Sequence, residues 1–379
     1  MSDTRWSPSL ECHDLNQVDD PRDFVYRAVA ALAQGEPVVL SMGSVQGIAV
    51  SAQRPESLSQ VLQGFPVNLE PDSLTFLLKG AEEVTDWVPG LSRVGRRFAQ
   101  RIWPGPTTLL FPGLCEGGLL KWLSVGVRAS VQREETVGFR SPAEPFVRDV
   151  LRLVSGPVLL RSFSRVETDN QGSLEHQLTR SGVKMVIESS EPMDADARSI
   201  VRIDGETWSL VCPGGLDERV LTKLAGTIIL FVCTGNTCRS PMAEALCKVL
   251  IAERLKCPIS ELEARGYVVV SAGIAAVGGM PAATHAIDVV RQRGGSLQGH
   301  QSKKLTFDLI RQADHILAMT SDHLHALLQH APEALSRSQL LHPEGHDVAD
   351  PVGADRETYL RSARAIESYL IRLLAEMGL

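Results

Sequence analysis

The stretch GTIILFVCTGNTCRSPMAEALCKVL, residues 226–250, decides how the C-terminal half of this chain is read. Its apolar run, TIILFVC, reads as a buried strand that stops abruptly at a small polar loop holding Cys233, Cys238 and Arg239. A helical pattern, SPMAEALCKVLIAERL, takes over at once. Outward from there the rhythm repeats: YVVVSAG reads as a strand, PAATHAIDVVRQRG as a helix, HILAMT as a strand and SDHLHALLQHA as a helix, and a long helix from about Arg356 follows. Such alternation predicts a parallel sheet wrapped by helices, with ligands at the carboxyl ends of the strands. The opening loop sits at such an end.

The residues of that loop suit an oxyanion. Gly235 permits backbone angles that other residues resist, and Asn236 is the next most tolerant type for a left-handed turn, so successive amides can point inward. The helix starting near Arg239 aims its dipole and unpaired amides at the same spot, and Arg239 adds a planar, permanently charged fork. A thiol at Cys233 would feel each of these positive contributions and should ionise more readily than a free cysteine. Three readings compete: a buried strand-end cysteine, a redox pair of Cys233 with Cys238, and a nucleophile beneath a bound phosphoryl group. Only the third explains Cys, Gly, Asn, Arg and Ser240 together.

The segment from Cys233 to Ser240, CTGNTCRS, resembles the C-x5-R-S phosphate loop of the low-molecular-weight protein-tyrosine phosphatases. The likeness runs from about Thr227 onward, with SAG at 271–273, GHQSKKLT at 299–306, ADHILAMT at 313–320 and DVADPVG at 347–353 in the expected order. It implies a catalytic set of Cys233, Arg239 and Asp350, with Thr234, Gly235, Asn236, Thr237, Cys238, Arg239 and Ser240 forming the phosphate-binding loop. Asp350, stiffened by Pro351, takes the position of the general acid that protonates the leaving group and later activates water. Ser240 should hydrogen-bond the thiolate, and Asn236 should hold the loop's shape. Without the resemblance, these two are equally a helix-start and a turn residue.

Substrate choice turns on Thr237 and Val352. Many tyrosine-directed members carry a bulky aliphatic residue where Thr237 stands, and often place aromatics beside the Asp-Pro, where this chain has Val352. The wording CTGNTCRSPMAEAL is similar to the bacterial branch that hydrolyses phosphoarginine, so phosphoarginine is expected ahead of phosphotyrosine, although Thr237 also reads as a space-filling residue. Arsenate reduction is the rival chemistry on this fold, but it needs further cysteines, and none follows Cys257. Cys238 is the candidate redox partner that could shield Cys233 in a reversible disulfide. A phosphate-sensing regulatory protein is the reading from another class.

The first half alternates short strands and helices: EPVVLSM, TTLLF, GPVLLRS, VKMVIES, SIVRIDG and TWSLVCPGG read as strands, and LSRVGRRFAQRIW and PFVRDVLRLV as helices. RIWPGPTTLLF at 101–111, VGVR at 125–128 and VGFRSPAEPFVRDVL at 137–151 resemble the YrdC-like threonylcarbamoyl-AMP synthase family from about Asp23 to Gly215. The family's Pro-Thr-Asp/Glu-Thr-Val-Tyr-Gly motif is replaced by SMGSVQG, which loses the threonine, acid and tyrosine at Met42, Gly43 and Gln46. LQGFPVNLEPDSL lacks the basic stretch, the Ser-Ala-Asn signature becomes SFS at 162–164, and Cys212 stands where an arginine is expected. Arg140 and Ser199 survive. Loss of the charge that would hold a triphosphate makes this domain read as a pseudo-enzyme that serves as a nucleotide or RNA groove, scaffold or regulator. Arg101, Arg128, Arg140 and Ser199 are the candidates to line such a groove; solvated arginines on element ends are the equal alternative. Residual threonylcarbamoyl-AMP synthesis is a second alternative.

The expected architecture is therefore α/β in two domains. A polar N-terminal extension (1–22) precedes a YrdC-like twisted α/β sheet domain (23–215), a linker (216–226) and a parallel-sheet low-molecular-weight phosphatase domain (227–379). At 379 residues with 44% hydrophobic and 22% charged content, the chain has material for two cores. A formal net charge of −7 argues against a main role in gripping a phosphate backbone. The polar, acidic start MSDTRWSPSLECHDLNQVDD holds no apolar run, so a cytoplasmic location and no membrane partner are expected. Cysteines 12, 115, 212, 233, 238, 247 and 257 form no CxxC pair, so free thiols, no metal and no cofactor are expected. His323 and His325 lie two apart, on different faces of a helix, which makes a shared metal improbable; His285, His300 and His315 read as structural or surface residues. The expected partner is a phosphorylated protein.

Overall fold

Strands that are apolar at every position, rather than at alternate ones, need a cover on both faces, and the chain meets that need twice. The computed structural model describes residues 10–42, 45–65, 74–113, 118–133, 135–163, 174–188 and 198–379. Residues 1–9 of the N-terminal extension, Gly43, Cys115, Ser164 and most of LQGFPVNLEPDSL lie outside the described residues. Two compact units divide the chain, Met1–Glu218 and Arg219–Leu379.

The first unit carries strands β1 (Glu11–Asp14), β2 (Val38–Met42), β3 (Val45–Ser51), β4 (Leu74–Leu77), β5 (Thr108–Pro112), β6 (Thr136–Arg140), β7 (Val158–Phe163), β8 (Met185–Glu188), β9 (Ile200–Asp204) and β10 (Thr207–Cys212). They form one mixed sheet in the order β1-β8-β2-β3-β7-β4-β6-β5-β9-β10. Its helices are α1 (Arg22–Gln34), α2 (Pro55–Gly64), α3 (Val84–Trp87), α4 (Arg93–Ile102), α5 (Val125–Val131), α6 (Pro145–Leu153) and α7 (Leu174–Arg180). On one face Val38, Leu40 and Met42 of β2 pack with Val25 and Leu32 of α1 and Val147 and Val150 of α6. Val39 faces the other way, toward Ile48, Val61 of α2 and Leu178 of α7. Both faces of β2 are thereby covered.

The second unit opens one residue into α8 (Glu218–Ala225), an amphipathic helix with Leu221 fully buried. Segment 216–226 is therefore mostly helical. Four parallel strands follow, β11 (Thr227–Cys233), β12 (Tyr267–Gly273), β13 (His315–Ala318) and β14 (Ser338–Leu340), in the order β12-β11-β13-β14. Helices α9 (Arg239–Leu255), α10 (Thr284–Arg291), α11 (Phe307–Gln312), α12 (Ser321–His330) and α13 (Arg356–Glu376) cover them. Ile229, Phe231 and Cys233 face a core with α9, α10 and α13, whereas Leu230 and Val232 face Ile310 of α11 and Leu327 of α12. The first strand of this sheet lies between the next two, so the chain winds both ways from the carboxyl end of β11. That end is the switch point where a doubly wound sheet opens a crevice.

Candidate active site

The loop from Cys233 to α9 is pinned by its neighbours' backbone. The amides of Ile274, Ala275 and Ala283 donate to the carbonyls of Cys233 (2.9 Å), Thr234 (3.0 Å) and Thr237 (2.9 Å). Gly273, paired with Cys233 across the β11–β12 register, lets the strands close: a Cβ there would stand 2.5 Å from the Thr234 carbonyl oxygen and 2.9 Å from the Asn236 nitrogen. The left-handed residue is Asn236, at φ 56°, and not Gly235, whose backbone lies outside that region. A Cβ at Gly235 would meet only the Thr237 hydroxyl at 3.6 Å. Of the two residues read as permissive, Asn236 takes the left-handed conformation and Gly235 does not need its freedom for a positive φ.

Asn236 is fully buried, and both polar atoms of its side chain have partners. Nδ2 donates to Ser240 Oγ (3.0 Å) and Ser271 Oγ (2.9 Å), and Oδ1 accepts from the Lys303 amide at 2.9 Å. These bonds fix the orientation of the amide. The Ser271 hydroxyl donates to Glu244 Oε2 at 2.6 Å, and Glu244 pairs with Lys248 at 2.5 Å. His300 Nε2 donates to the Asn236 carbonyl at 2.8 Å, so this histidine is a loop support.

Cys233 is buried, and its sulfur lies 2.9 Å from Ser240 Oγ and 3.2 Å from the Asn236 amide. Because Ser240 Oγ already accepts from Asn236, its proton is free to point at the sulfur. Two donors then converge on one sulfur at the start of α9, where backbone amides and helix dipole favour negative charge.

Arg239 is nearly buried, with Nη1 donating to the Val348 carbonyl (3.1 Å) and Nη2 to Asp350 Oδ2 (2.5 Å). Asp350 itself is exposed, and its second oxygen accepts from the Val352 amide at 3.2 Å. The loop bearing it is tied to the end of β13: Val348 N donates to the Met319 carbonyl (2.8 Å), and the Ser321 amide donates to Asp347 Oδ1 (2.7 Å). Val352 projects to solvent, 64% exposed. Thr237 is half-buried, its hydroxyl 3.7 Å from Cys238 Sγ.

Sequence reasoning missed two neighbours of this loop. Cys238 Sγ lies 3.2 Å from the hydroxyl of Tyr359 on α13, whose ionisation is pushed up by burial, by that bond and by the charge of Asp350. His323, set aside as a metal ligand, instead stands 2.8 Å from Thr234 Oγ1. Burial, then the charge of Arg239, lowers its pKa from the usual histidine range. No spacing in the sequence points to either contact.

In the first unit, Arg140 at the end of β6 is 1% exposed and reaches across the strand pair to Thr108 Oγ1, at 3.2 Å from Nε and 2.7 Å from Nη2. The Thr108 amide donates to the carbonyl of the buried Ser199 at 3.0 Å, and Ser199 Oγ accepts from the Leu216 amide at 3.1 Å. Thr108 thus links Arg140 with Ser199. The alternative of a solvated arginine does not fit Arg140. Arg128 is exposed on α5, and Arg101 is half-buried in the last turn of α4. Met42 is core, and Cys212 lies on the edge strand β10. Among the described residues no cluster of three or more His, Cys, Asp or Glu could hold a metal, and no helix is long and apolar enough to cross a membrane.

Comparison with known proteins accords with this geometry. Residues 30–214 match the YrdC-like family, whose model is described as telomere recombination. Residues 228–378 match the family described as low molecular weight phosphotyrosine protein phosphatase. A protein-arginine-phosphatase of Geobacillus stearothermophilus is 40% identical over 152 residues, 39% of this chain and 93% of the relative. A protein-arginine-phosphatase of Bacillus subtilis is 33% identical over 153 residues, 39% and 95% of the two chains. The low molecular weight protein-tyrosine-phosphatase Etp of Escherichia coli is 35% identical over 141 residues, 37% and 86%. Through its second unit, the chain belongs to the low molecular weight phosphotyrosine protein phosphatase family and is a phosphatase joined to a YrdC-like unit.

Proposed function

We propose that the chain removes phosphoryl groups from protein side chains through Cys233, with phosphoarginine favoured over phosphotyrosine. The observation that carries this is the sulfur of Cys233 held between Ser240 Oγ at 2.9 Å and the Asn236 amide at 3.2 Å, at the start of α9. A bound phosphoryl group takes over the fork of Arg239, which now holds Asp350 at 2.5 Å. The thiolate attacks phosphorus, an S–P bond forms, and the P–N or P–O bond to the leaving group breaks. Asp350, protonated, delivers its proton to the departing nitrogen or oxygen. In the second half the Asp350 carboxylate takes a proton from water, the oxygen attacks phosphorus, and the S–P bond breaks to release phosphate and restore the thiolate.

Thr237 and Val352 are proposed to set the choice of side chain. The half-buried Thr237 offers a hydroxyl that can orient a polar guanidinium where a bulky aliphatic residue would offer only apolar surface, Val352 supplies no aromatic face, and the two arginine-directed relatives support the same order. The YrdC-like unit is proposed as a non-catalytic module that binds a nucleotide or RNA weakly, scaffolds or regulates; Met42 as a core residue and Cys212 on an edge strand supply none of the charge an ATP site needs.

The test is phosphate release from phosphoarginine and phosphotyrosine peptides by the full chain under reducing conditions, with Cys233→Ser as the blank. Preference for phosphoarginine that moves toward phosphotyrosine in Thr237→Ile supports the reading. Activity on neither peptide sinks it in favour of phosphate sensing.

A further inference from the structure

We infer that His323 is a positioning residue of the phosphatase site, holding the Thr234 hydroxyl as a hydrogen-bond donor toward the anion that the loop binds. This rests on the phosphatase reading above and extends it to a residue on a different element.

Thr234 follows the nucleophile directly and is exposed where Cys233 and Asn236 are buried, so it stands on the open rim of the loop. Its Oγ1 lies 2.8 Å from Nε2 of His323, a residue only 7% exposed. The other ring nitrogen, Nδ1, lies 2.7 Å from Oγ1 of Thr320, the N-cap of α12. That same Oγ1 already accepts the backbone N–H of His323 at 3.3 Å, so its hydroxyl proton is available to Nδ1. With Nδ1 accepting, the ring carries its proton on Nε2 and donates it to Thr234. Thr234 then has its own proton to offer outward. The reverse tautomer would draw that proton to the ring and turn oxygen lone pairs toward a bound anion, against the loop's purpose.

The surroundings disfavour a second proton on the ring. Arg239 from the phosphate loop faces it, as do Asp322 of its own helix and Asp347 and Asp350 of the acid loop; burial and Arg239 outweigh the three carboxylates. The first turn of α12 thus holds both halves of the site, Thr234 through His323 and the acid loop through the bond from the Ser321 amide to Asp347.

The test uses the full chain, with inorganic phosphate as the probe of binding and the preferred peptide for kcat and KM. His323→Leu and Thr234→Val should each weaken phosphate binding by about tenfold or more, the worth of one hydrogen bond to a charged group. The double variant should lose no more than either alone, and His323→Gln, whose amide can donate to Thr234, should recover most of the loss. A nitrogen-15 imidazole spectrum of the unaltered protein should place the proton on Nε2. Losses that multiply in the double variant, or a proton on Nδ1, overturn the inference. Inactivity of the unaltered protein on both peptides would instead remove the phosphatase reading, while phosphate binding and the spectrum still judge His323.

Discussion

Asn236→Asp changes one atom type in a side chain of the same size, and its consequence can be worked out bond by bond. The acceptor oxygen facing the Lys303 amide is kept, and so is tolerance of φ 56°. What is lost is the pair of N–H donors to Ser240 and Ser271. A carboxylate there accepts the Ser240 proton, which in the unaltered protein points at Cys233. The sulfur then keeps the Asn236 amide at 3.2 Å and loses the hydroxyl at 2.9 Å. A hydrogen bond to a charged group is worth about 1.5–3 kcal/mol, so kcat/KM should fall by about 10- to 150-fold. Ser240→Ala removes the same bond from its other end. Steady-state phosphate release and the rate of Cys233 alkylation, measured for both single variants and the double, form a cycle. The double variant should be no worse than Asn236→Asp alone. Losses that multiply would mean that Asn236 does not act through Ser240.

Three further outcomes follow from the same geometry. Gly273→Ala puts a Cβ against two backbone atoms of the phosphate loop, so it should cost about 1–3 kcal/mol in hydrogen exchange of β11 and lower activity more than tenfold; unchanged activity would mean the loop shifts freely. Cys247 is fully buried, with its thiol pushed up to about 12 by burial, so native iodoacetamide labelling should reach Cys233 and spare Cys247 until the unit unfolds, as peptide mapping would show. The pKa of His323 is lowered on folding, so as pH falls below about 6.5 the unfolded chain takes up a proton that the folded chain refuses, and stability falls. His323→Gln should flatten that part of the pH dependence of β11 exchange, and an unchanged slope would assign it to other groups.

The residues explain why much of the second unit was legible and some of it was not. TIILFVC is bounded by Gly226 and the polar loop, and YVVVSAG ends at Gly273, so the ends of β11 and β12 coincide with the ends of the apolar runs. Helix α11 has six residues and exposes Phe307, and β14 has three half-exposed or exposed residues; neither is long enough to display a period. Segment 216–226 reads as a polar, helix-like joining piece, and α8 forms within it with Leu221 on its buried side. The phosphate loop was readable because Cys233, Asn236, Arg239 and Ser240 are neighbours in the chain. His323 and Tyr359 join it from 89 and 121 residues away through single side-chain bonds, which periodicity does not report. Helical spacing rightly argued against a shared metal at His323 and His325, yet it says nothing about which hydroxyls the imidazole meets.

The central claim is that Cys233 carries the phosphoryl group between substrate and water. Asp350 serves as acid in the first half-reaction and base in the second, so its removal slows both, and the intermediate is sought in the unaltered protein. Rapid quenching of that protein within the first turnover on the phosphoarginine peptide, followed by peptide mass spectrometry, should find a phosphoryl group on the peptide containing Cys233 and none in Cys233→Ser. Phosphate released with no phosphoryl group on Cys233, or release that persists in Cys233→Ser, would contradict the account.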